Sequence, residues 1–577
     1  MPSSDRPKSF EPDIQPFLGN EAELRNRDTV PIKFFDTTLR DGEQAEGSAM
    51  SMDQKLFFAD ISARAGVDVH EVGFPASNTD MQNVREVSKV LRPYDVEVAG
   101  LARATRKDIE MTAEALQDAR HPRIHTFLAT SPIHLEKKLG ITFEKALETI
   151  ERICRFAKEQ FPNMKLEFSP EDATRTEIGN LIIACRTAIE AGADVLNIPD
   201  TNGITNPPYV KWMFEQLIKN TEDLRRAGKN FEFSFHGHND EALGVANALA
   251  AVAGGARQVE ACWGDNGERA GNFPIEEVAL ALDKQGARLS ADHIFVHHLK
   301  RELIIPTTLA IYEIMGRPVP DSKVLVGRRI ALHGAGIHTD GSVKDGGILG
   351  NESTYNVVDV QKYGGGIPEK PVGSRAGAAD ILQALSVFGI QAEKPHASKV
   401  LPRVTEEAIN SRRIFPAHVL FESSKVWEGL SNPNISRTEG AVEVTFDFMG
   451  RRHEFKSDIR NENSAIQALM AAISEFCEKD LDIANQSEFK QAGLDEIQRE
   501  YARRTSSPLA DKRSKGSEAM AVARVEVANG EKAYNVHLAG RNVNLTNLRA
   551  IFIASWPFIR EKIIANAGGE PKELQLK

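Results

Sequence analysis

The chain has 577 residues, 41% of them hydrophobic and 27% charged, which is long enough for roughly two to four globular domains. Its formal net charge of -11 argues against nonspecific nucleic-acid binding, which needs a basic surface. We expect neither a signal peptide nor a membrane span, because no apolar segment has the required length. The cysteines show no CxxC spacing, which favours buried thiols and a cytoplasmic location: Cys154, Cys185, Cys262 and Cys477.

From Pro31 onward, short β-branched or aromatic segments alternate with longer segments of helical pattern. Ser51 and Gln54 form a capping-box pattern at the start of the first of these helices. Alternating strands and helices are typical of parallel βα units, and eight units predict a closed (β/α)8 TIM barrel over residues 31–305. The eight predicted strand segments are residues 32–39, 67–74, 96–103, 123–130, 165–172, 194–201, 231–240 and 257–264.

The rest of the chain predicts additional units. Residues 1–30 are interpreted as an N-terminal extension, and residues 306–430, which are Gly-rich and mainly helical in pattern, as a linker with helical accessory subdomains. Residues 431–577 contain the strand-like segments EVTFDF, AVARVEVANG and KAYNVHLAG and the helix-like segments AIQALMAAISEF and LRAIFIASWPFIREKI. This order predicts a separate C-terminal α+β domain in two weakly similar halves.

Polar side chains with catalytic potential stand at the ends of the predicted strands. TIM-barrel enzymes build their sites at the carboxyl ends of the strands, so this clustering favours an enzyme over a purely structural barrel. The residues concerned are Arg40, Asp41, Glu71, Arg103, Ser169, Thr201, His236 and His238.

His236 and His238 lie two residues apart on the seventh predicted strand, so both imidazoles face the same side. Asp41 follows the first strand, which is separated from the seventh only by the eighth around a closed barrel. Two imidazoles and one carboxylate leave open positions on a divalent cation, as a catalytic site requires, and they suit Zn, Mn, Mg or Co. The alternative is that both histidines are hydrogen-bonded barrel residues.

Arg40 adjoins Asp41, and an arginine at a barrel mouth can stabilise a developing enolate or carboxylate. The alternative for Arg40 is an ion pair at the strand end with a nearby carboxylate such as Glu71.

Four segments, in this order along the chain, resemble the signatures of one enzyme family: FDTTLRDGEQ (35–44), NIPDTNG (197–203), HGHND (236–240) and NGERAGN (266–272). The family contains the 2-isopropylmalate, homocitrate and citramalate synthases and belongs to the DRE-TIM metallolyase superfamily. The resemblance covers residues 31–285 and, more loosely, residues 325–360. It implies a metal-dependent condensation of acetyl-CoA with a 2-keto acid and release of CoA.

The resemblance also implies roles for individual residues. Asp41, His236 and His238 would bind the metal, with Asn272 as a further ligand or near-ligand. Arg40 would polarise the keto group or the enolate, and Glu268 would act at the acyl-CoA end. The substrate-binding residues would be Gln44, His125, Glu167, Ser169 and Thr201.

The loop GIHTDG and the segment STYNVVD resemble further family segments, which makes His338 the expected catalytic histidine, with the catalytic Tyr355 near it. In relatives these two residues enter the barrel of a partner subunit, so the resemblance implies a homodimer. Residues after about 430 fall where relatives carry a leucine-binding regulatory domain, which makes leucine a possible effector.

Two positions bear on the choice of keto acid. Homocitrate synthases generally carry Glu at the position of Asp41, and they place an arginine in the motif that is here Leu166 to Ser169. An acidic residue in this motif, Glu167, should repel a dicarboxylic keto acid. We therefore expect 2-ketoisovalerate first, as in leucine biosynthesis, and pyruvate, the citramalate synthase substrate, second. A lyase or carboxyltransferase of the same superfamily and a non-catalytic barrel are the remaining alternatives.

Overall fold

The computed structural model describes residues 27–327 without interruption and shorter stretches of the remaining chain. These stretches are residues 329–330, 333, 336–344, 349–350, 353–365, 377–386, 391–411, 430–437, 441–448, 451–458, 482–486, 498, 501, 522–528, 533–539 and 575–576.

A short strand, β1 (Asp28–Pro31), precedes a closed barrel of eight parallel strands that follow one another around the barrel in chain order. The last barrel strand pairs with the first and so closes the barrel, with Phe34 opposite Val259. Each predicted strand segment overlaps one barrel strand, so the TIM-barrel prediction is confirmed. The barrel strands are β2 (Lys33–Asp36), β3 (Val69–Glu71), β4 (Glu97–Arg103), β5 (His121–Ala129), β6 (Lys165–Glu171), β7 (Val195–Asp200), β8 (Glu232–Gly237) and β9 (Gln258–Ala261).

Helices cover the outside of the barrel and bury apolar side chains such as Phe58 and Phe214 against it. Burying one such side chain contributes about 2 kcal/mol. The first helix begins with the predicted capping box, in which the Ser51 hydroxyl accepts from the Gln54 backbone N–H and the Gln54 side chain accepts from the Ser51 backbone N–H. The helices are α1 (Met52–Arg64), α2 (Asn78–Leu91), α3 (Arg106–Ala115), α4 (Phe143–Gln160), α5 (Ile178–Glu190), α6 (Pro207–Lys219), α7 (Gly244–Gly254) and α8 (Ile275–Gln285).

The barrel interior is polar at mid-depth, where a buried hydrogen-bonded network forms a floor. Arg123 is fully buried, and its Nη1 donates to Glu167 Oε2 at 3.1 Å and to Gln258 Oε1 at 2.9 Å. The Ser234 hydroxyl donates to Glu260 Oε1 at 2.7 Å. Burial and then the charge of Glu167 raise the pKa of Glu260 well above its usual value, which favours the protonated form of this carboxyl.

Beyond the barrel, β10 (His293–Val296) pairs with β1 and is followed by α9 (Arg301–Ile314), α10 (Gly336–Lys344), α11 (Ala378–Ser386), β11 (Gln391–Ala392) and α12 (Lys394–Ser411). Two antiparallel three-stranded sheets follow, the first formed by β12 (Leu430–Arg437), β13 (Ala441–Phe448) and β14 (Arg451–Asp458), and the second by β15 (Asp482–Gln486), β16 (Val522–Ala528) and β17 (Ala533–Ala539). The short strand β18 (Gln575–Leu576) pairs with β11.

The strand-like segments of the C-terminal part coincide with β13, β16 and β17. Its two helix-like segments, residues 465–476 and 548–563, and the predicted extension up to residue 26 lie outside the described residues. The domain boundaries therefore stay predictions. Among the described helices, none combines the length and the apolar character that crossing a membrane requires.

Candidate functional site

Three predicted ligands meet at the carboxyl end of the barrel. Asp41 follows β2 in a turn in which the N–H groups of residues 40–42 all donate to the carbonyl of Thr37. His236 lies near the end of β8, and His238 follows the strand directly. Asp41 Oδ2 is 3.8 Å from His236 Nε2 and 3.7 Å from His238 Nε2. One ligand atom from each residue lies within 4.8 Å of the other two, so a single cation can contact all three.

The two histidines are held in the state that metal binding requires. His236 Nδ1 lies 3.2 Å from the Glu260 carbonyl oxygen, to which it can donate, and this leaves Nε2 directed at Asp41. Burial lowers the pKa of His236 to about 3, although the negative charge of Asp41 opposes the shift. Burial also lowers the pKa of His238. Both imidazoles are therefore neutral at neutral pH and offer lone pairs to a cation.

Asp41 is ionised. Burial alone would raise its pKa, but the charge of Arg40, followed by His236 and His238, brings the pKa below its usual value. Arg40 Nη1 lies 2.5 Å from Asp41 Oδ1, and Asn272 Nδ2 donates to Asp41 Oδ2 at 2.8 Å.

The donor set fits a divalent cation. Oδ1 of Asn272 is buried and has no hydrogen-bond partner among the described residues, so it is an oxygen atom that a cation could engage. One carboxylate, two neutral imidazoles and an amide oxygen suit several divalent metals, and this set does not select one of them.

The loop that carries Asn272 is held by close backbone contacts. Gly271 has φ +83°, and a Cβ added to it would lie 2.0 Å from the Asp265 carbonyl oxygen. The Gly271 carbonyl accepts from the Asn239 backbone N–H, which ties the loop to the residue after His238. The position of the Asn272 side chain therefore depends on glycine at position 271.

The Gly271→Ala variant is expected to lose about 1–3 kcal/mol of unfolding free energy, because both its backbone conformation and its space exclude a side chain. Displacing Asn272 should also weaken divalent-metal affinity. Urea unfolding and metal titration measure the two effects. Gly228→Ala is the matched control, because Gly228 has φ +88° with nothing within 4 Å of the added Cβ. Equal behaviour of the two variants would contradict the proposed role of the loop.

A chain of buried polar contacts runs from Arg40 across the barrel mouth. Arg40 Nε lies 2.5 Å from Glu71 Oε2, and Glu71 Oε1 lies 2.7 Å from His125 Nδ1. His125 Nε2 lies 2.7 Å from the Ser169 hydroxyl, which also accepts from Asn197 Nδ2 at 2.9 Å. The structure thus brings Arg40, His125 and Ser169 together beside the candidate metal ligands.

The other predicted substrate and acyl-CoA residues are placed differently. Gln44 and Glu268 are exposed in the loops after β2 and β9, at the barrel mouth. The Thr201 hydroxyl accepts from the Asp172 backbone N–H at 3.0 Å. Glu167 is fully buried, and its oxygens are bound by Arg123 and Gln258 in the floor network. A carboxylate oxygen of Glu167 also lies within 4.8 Å of a ring nitrogen of His125, so the structure places Glu167 in the layer directly beneath the mouth.

His338 and Tyr355 form a separate aromatic cluster with His333. The rings of His338 and Tyr355 stack with centroids 4.3 Å apart, and His333 packs edge-on against His338 at 5.5 Å. Tyr355 is 38% exposed. Among the described contacts of this one chain, none joins the pair to the metal ligands. Their catalytic roles stay predictions.

Two residues that contact this site had no predicted role. Cys262 Sγ accepts from Asn272 Nδ2 at 2.9 Å and lies 3.0 Å from the Thr37 hydroxyl, so the thiol packs against the residues around Asp41. Asn197 could have been found from the strand period of two, because it precedes Thr201 by four residues on the same face of the strand. No pattern in the sequence indicated that Cys262 would contact the site.

Comparisons with known proteins show what the chain is similar to. Residues 31–303 match the family model described as HMGL-like. The chain is 40% identical over 365 residues to the 2-isopropylmalate synthase of Stenotrophomonas maltophilia (strain K279a), an alignment that covers 63% of this chain and 67% of the relative. It is 35% identical over 451 residues to the 2-isopropylmalate synthase of Xanthomonas euvesicatoria pv. vesicatoria (strain 85-10), covering 77% and 83% of the two chains.

Among solved structures, the hydroxymethylglutaryl-CoA lyase from Pseudomonas aeruginosa matches with a TM-score of 0.41 and 17% identity. The match covers 51% of this chain and 96% of that chain.

Proposed function

The chain belongs to the 2-isopropylmalate synthase family, and from this membership together with the site we propose that it condenses acetyl-CoA with 2-ketoisovalerate and releases CoA, a reaction of leucine biosynthesis. The observation that carries the proposal is the convergence of Asp41, His236 and His238 on one point beside Arg40. This arrangement combines a cation site with a fixed positive charge, and both stabilise an oxyanion that forms at the keto carbon.

A divalent cation bound by the three ligands, with Asn272 beside them, would supply Lewis acidity for a 2-keto acid. Arg40 is fixed between Asp41 and Glu71, so its guanidinium holds positive charge near the oxygen that becomes an alkoxide. His125 is held between Glu71 and Ser169, and these polar groups form the side of the site that would orient the substrate.

The reaction needs a base that takes a proton from the acetyl methyl group, after which the carbanion adds to the keto carbon. Hydrolysis of the thioester then releases CoA and leaves a carboxylate. We propose His338 as this base, supplied together with Tyr355 by the partner subunit of a homodimer. The exposure of His338 and Tyr355 supports this assignment, because they are accessible to a second copy. Leucine as an effector and a cytoplasmic location belong to the same proposal.

The barrel floor favours a monocarboxylic keto acid. Arg123, the arginine of the floor network, forms ion pairs with Glu97 and Glu167. These carboxylates neutralise its charge, so it would attract a second substrate carboxylate only weakly. Glu167, the other member of that ion pair, offers no attraction to a second carboxylate, and the side chain of 2-ketoisovalerate needs none.

CoA release with acetyl-CoA and each of three keto acids, measured by a thiol assay, tests the proposal. We expect kcat/KM for 2-ketoisovalerate to exceed that for pyruvate by about tenfold and that for 2-ketoglutarate by about a hundredfold or more. A preference for pyruvate would make the protein a citramalate synthase, and a preference for 2-ketoglutarate would overturn the proposed substrate. Repeating the assay with added leucine tests the effector.

A further inference from the structure

A cavity of about 600 Å³ lies at the amino-terminal end of the barrel, opposite the candidate metal centre. Its lining includes the first residues of four barrel strands, Lys33, Lys165, Val195 and Glu232. At about 3.3 Å per residue, Glu232 and the metal ligand His236 are roughly 13 Å apart along β8. The cavity is therefore distinct from the site described above.

The charged lining of this cavity is only partly neutralised by its own carboxylates. The charged residues are Lys33, Lys165, Arg225, Arg257, Asp194 and Glu232. Lys33 Nζ lies 2.7 and 2.9 Å from the two oxygens of Glu232, and Lys165 is paired with Glu97. Asp194 is bound by Lys158 at 2.8 Å. Among the described residues, neither Arg225 nor Arg257 has a carboxylate oxygen within 4 Å.

Aromatic rings hold both arginines in place. The guanidinium carbon of Arg225 lies 4.1 Å from the centre of the Phe231 ring, and that of Arg257 lies 5.5 Å from the centre of the Phe295 ring. Nη1 of Arg257 donates to the Ala256 carbonyl at 2.7 Å, which fixes its orientation. Stacking leaves the edge of a guanidinium, with its N–H groups, available to a ligand.

The two positive charges are also close to one another. Burial lowers the pKa of Arg225 and of Arg257, and the charge of Arg225 lowers that of Arg257 further. Arg257 is half-buried and Arg225 is exposed, and the charge of Glu232 offsets part of the shift at Arg225. A bound anion would reduce the remaining repulsion between the two guanidinium groups.

We propose that Arg225 and Arg257 bind a small anion in this cavity through a phosphate or carboxylate group. A planar guanidinium can form two parallel hydrogen bonds with either group, and two arginines can grip it from different sides. The volume accommodates a small metabolite rather than a macromolecule. This inference is independent of the proposed synthase activity.

Calorimetric titration of the full chain with inorganic phosphate and, separately, with succinate tests the proposal. Arg225→Gln and Arg257→Gln should each weaken binding by about tenfold or more, the loss expected for one charge-assisted hydrogen-bonding group. Arg226→Gln is the matched control, because Arg226 is the adjacent residue, is exposed and pairs with Glu222. It should bind like the wild type.

A phosphate isotherm that weakens in both variants but not in the control supports a phosphate ligand, and the same pattern for succinate supports a carboxylate ligand. Arg225→Gln alone is sufficient if Arg257→Gln does not fold, because Arg225 donates no hydrogen bond to any described residue that its loss would break. Unchanged affinity in Arg225→Gln, or no saturable binding of either anion to the wild type, would overturn the proposal.

Discussion

The His236→Ala variant should lose bound divalent metal and, with it, at least about a thousandfold in kcat/KM for CoA release, the scale of the several kcal/mol that a catalytic cation contributes. The structure gives the reason. His236 offers one of three ligand atoms that lie within 4.8 Å of one another, and Asp41 and His238 alone would hold a cation less tightly. Metal content by elemental mass spectrometry and CoA release by thiol assay give independent measurements. Asp41→Asn, which keeps the size of the side chain but removes its charge, should behave in the same way.

His121→Ala is the control for this experiment, because His121 lies at the opposite end of a barrel strand and pairs with the exposed Asp95. It should retain both metal and activity. Thermal unfolding separates loss of metal from loss of fold. A folded variant that lacks metal should melt near the melting temperature of the metal-free wild type, below that of the metal-loaded wild type. A His236→Ala protein that binds metal and turns over like the wild type would refute the assignment of the metal centre.

The sequence predicted the barrel and the convergence of the ligands for the same physical reason. Strand period and helix signals are local, and once eight parallel strands close, the ends of the first and seventh must be near neighbours. Asp41, His236 and His238 could therefore be placed together without coordinates. The alternative for Arg40, an ion pair with Glu71, is also realised, and this does not exclude a catalytic role because Arg40 contacts Asp41 as well.

The depth of a side chain within the barrel was harder to predict from the sequence than the face of the strand on which it lies. Glu167 and Ser169 face the same side of β6, roughly 6.6 Å apart along the strand, so Glu167 lies one layer below Ser169 in the barrel interior. The partners of Glu167 come from other strands, Arg123 from the neighbouring β5 and Gln258 from β9, and no local pattern in the sequence shows this pairing. The proposed entry of His338 into the barrel of a partner subunit depends on how two chains assemble. The sequence pattern of one chain does not contain this information.

Replacing Arg40 with Met is expected to lower kcat/KM by about a hundredfold to a thousandfold and stability by about 3–5 kcal/mol, because it leaves Glu71 buried without its cation. In the wild type, burial would raise the pKa of Glu71, but Arg40 and then His125 bring it below its usual value. The stabilisation from this carboxylate is therefore present above its unfolded pKa and is lost as pH falls through the folded one.

In Arg40→Met, the burial effect is no longer offset by the arginine, so the pKa of Glu71 should lie above its unfolded value. The folded variant then takes up a proton, and its stability falls as pH rises through that raised pKa. The stability gap between wild type and variant should accordingly be wider at pH 7 than at pH 5, as measured by urea unfolding at both values. A gap of equal size at the two pH values would show that Glu71 does not depend on the charge of Arg40.

The double variant Arg40→Met with Glu71→Gln separates the structural from the catalytic role of this pair. Glutamine carries no buried charge and can still hydrogen-bond to His125, so most of the lost stability at pH 7 should return. Activity should not return, because the positive charge beside the developing alkoxide is still missing. Recovery of both would mean that Arg40 acts only by neutralising Glu71, and recovery of neither would mean that its contact with Asp41 dominates.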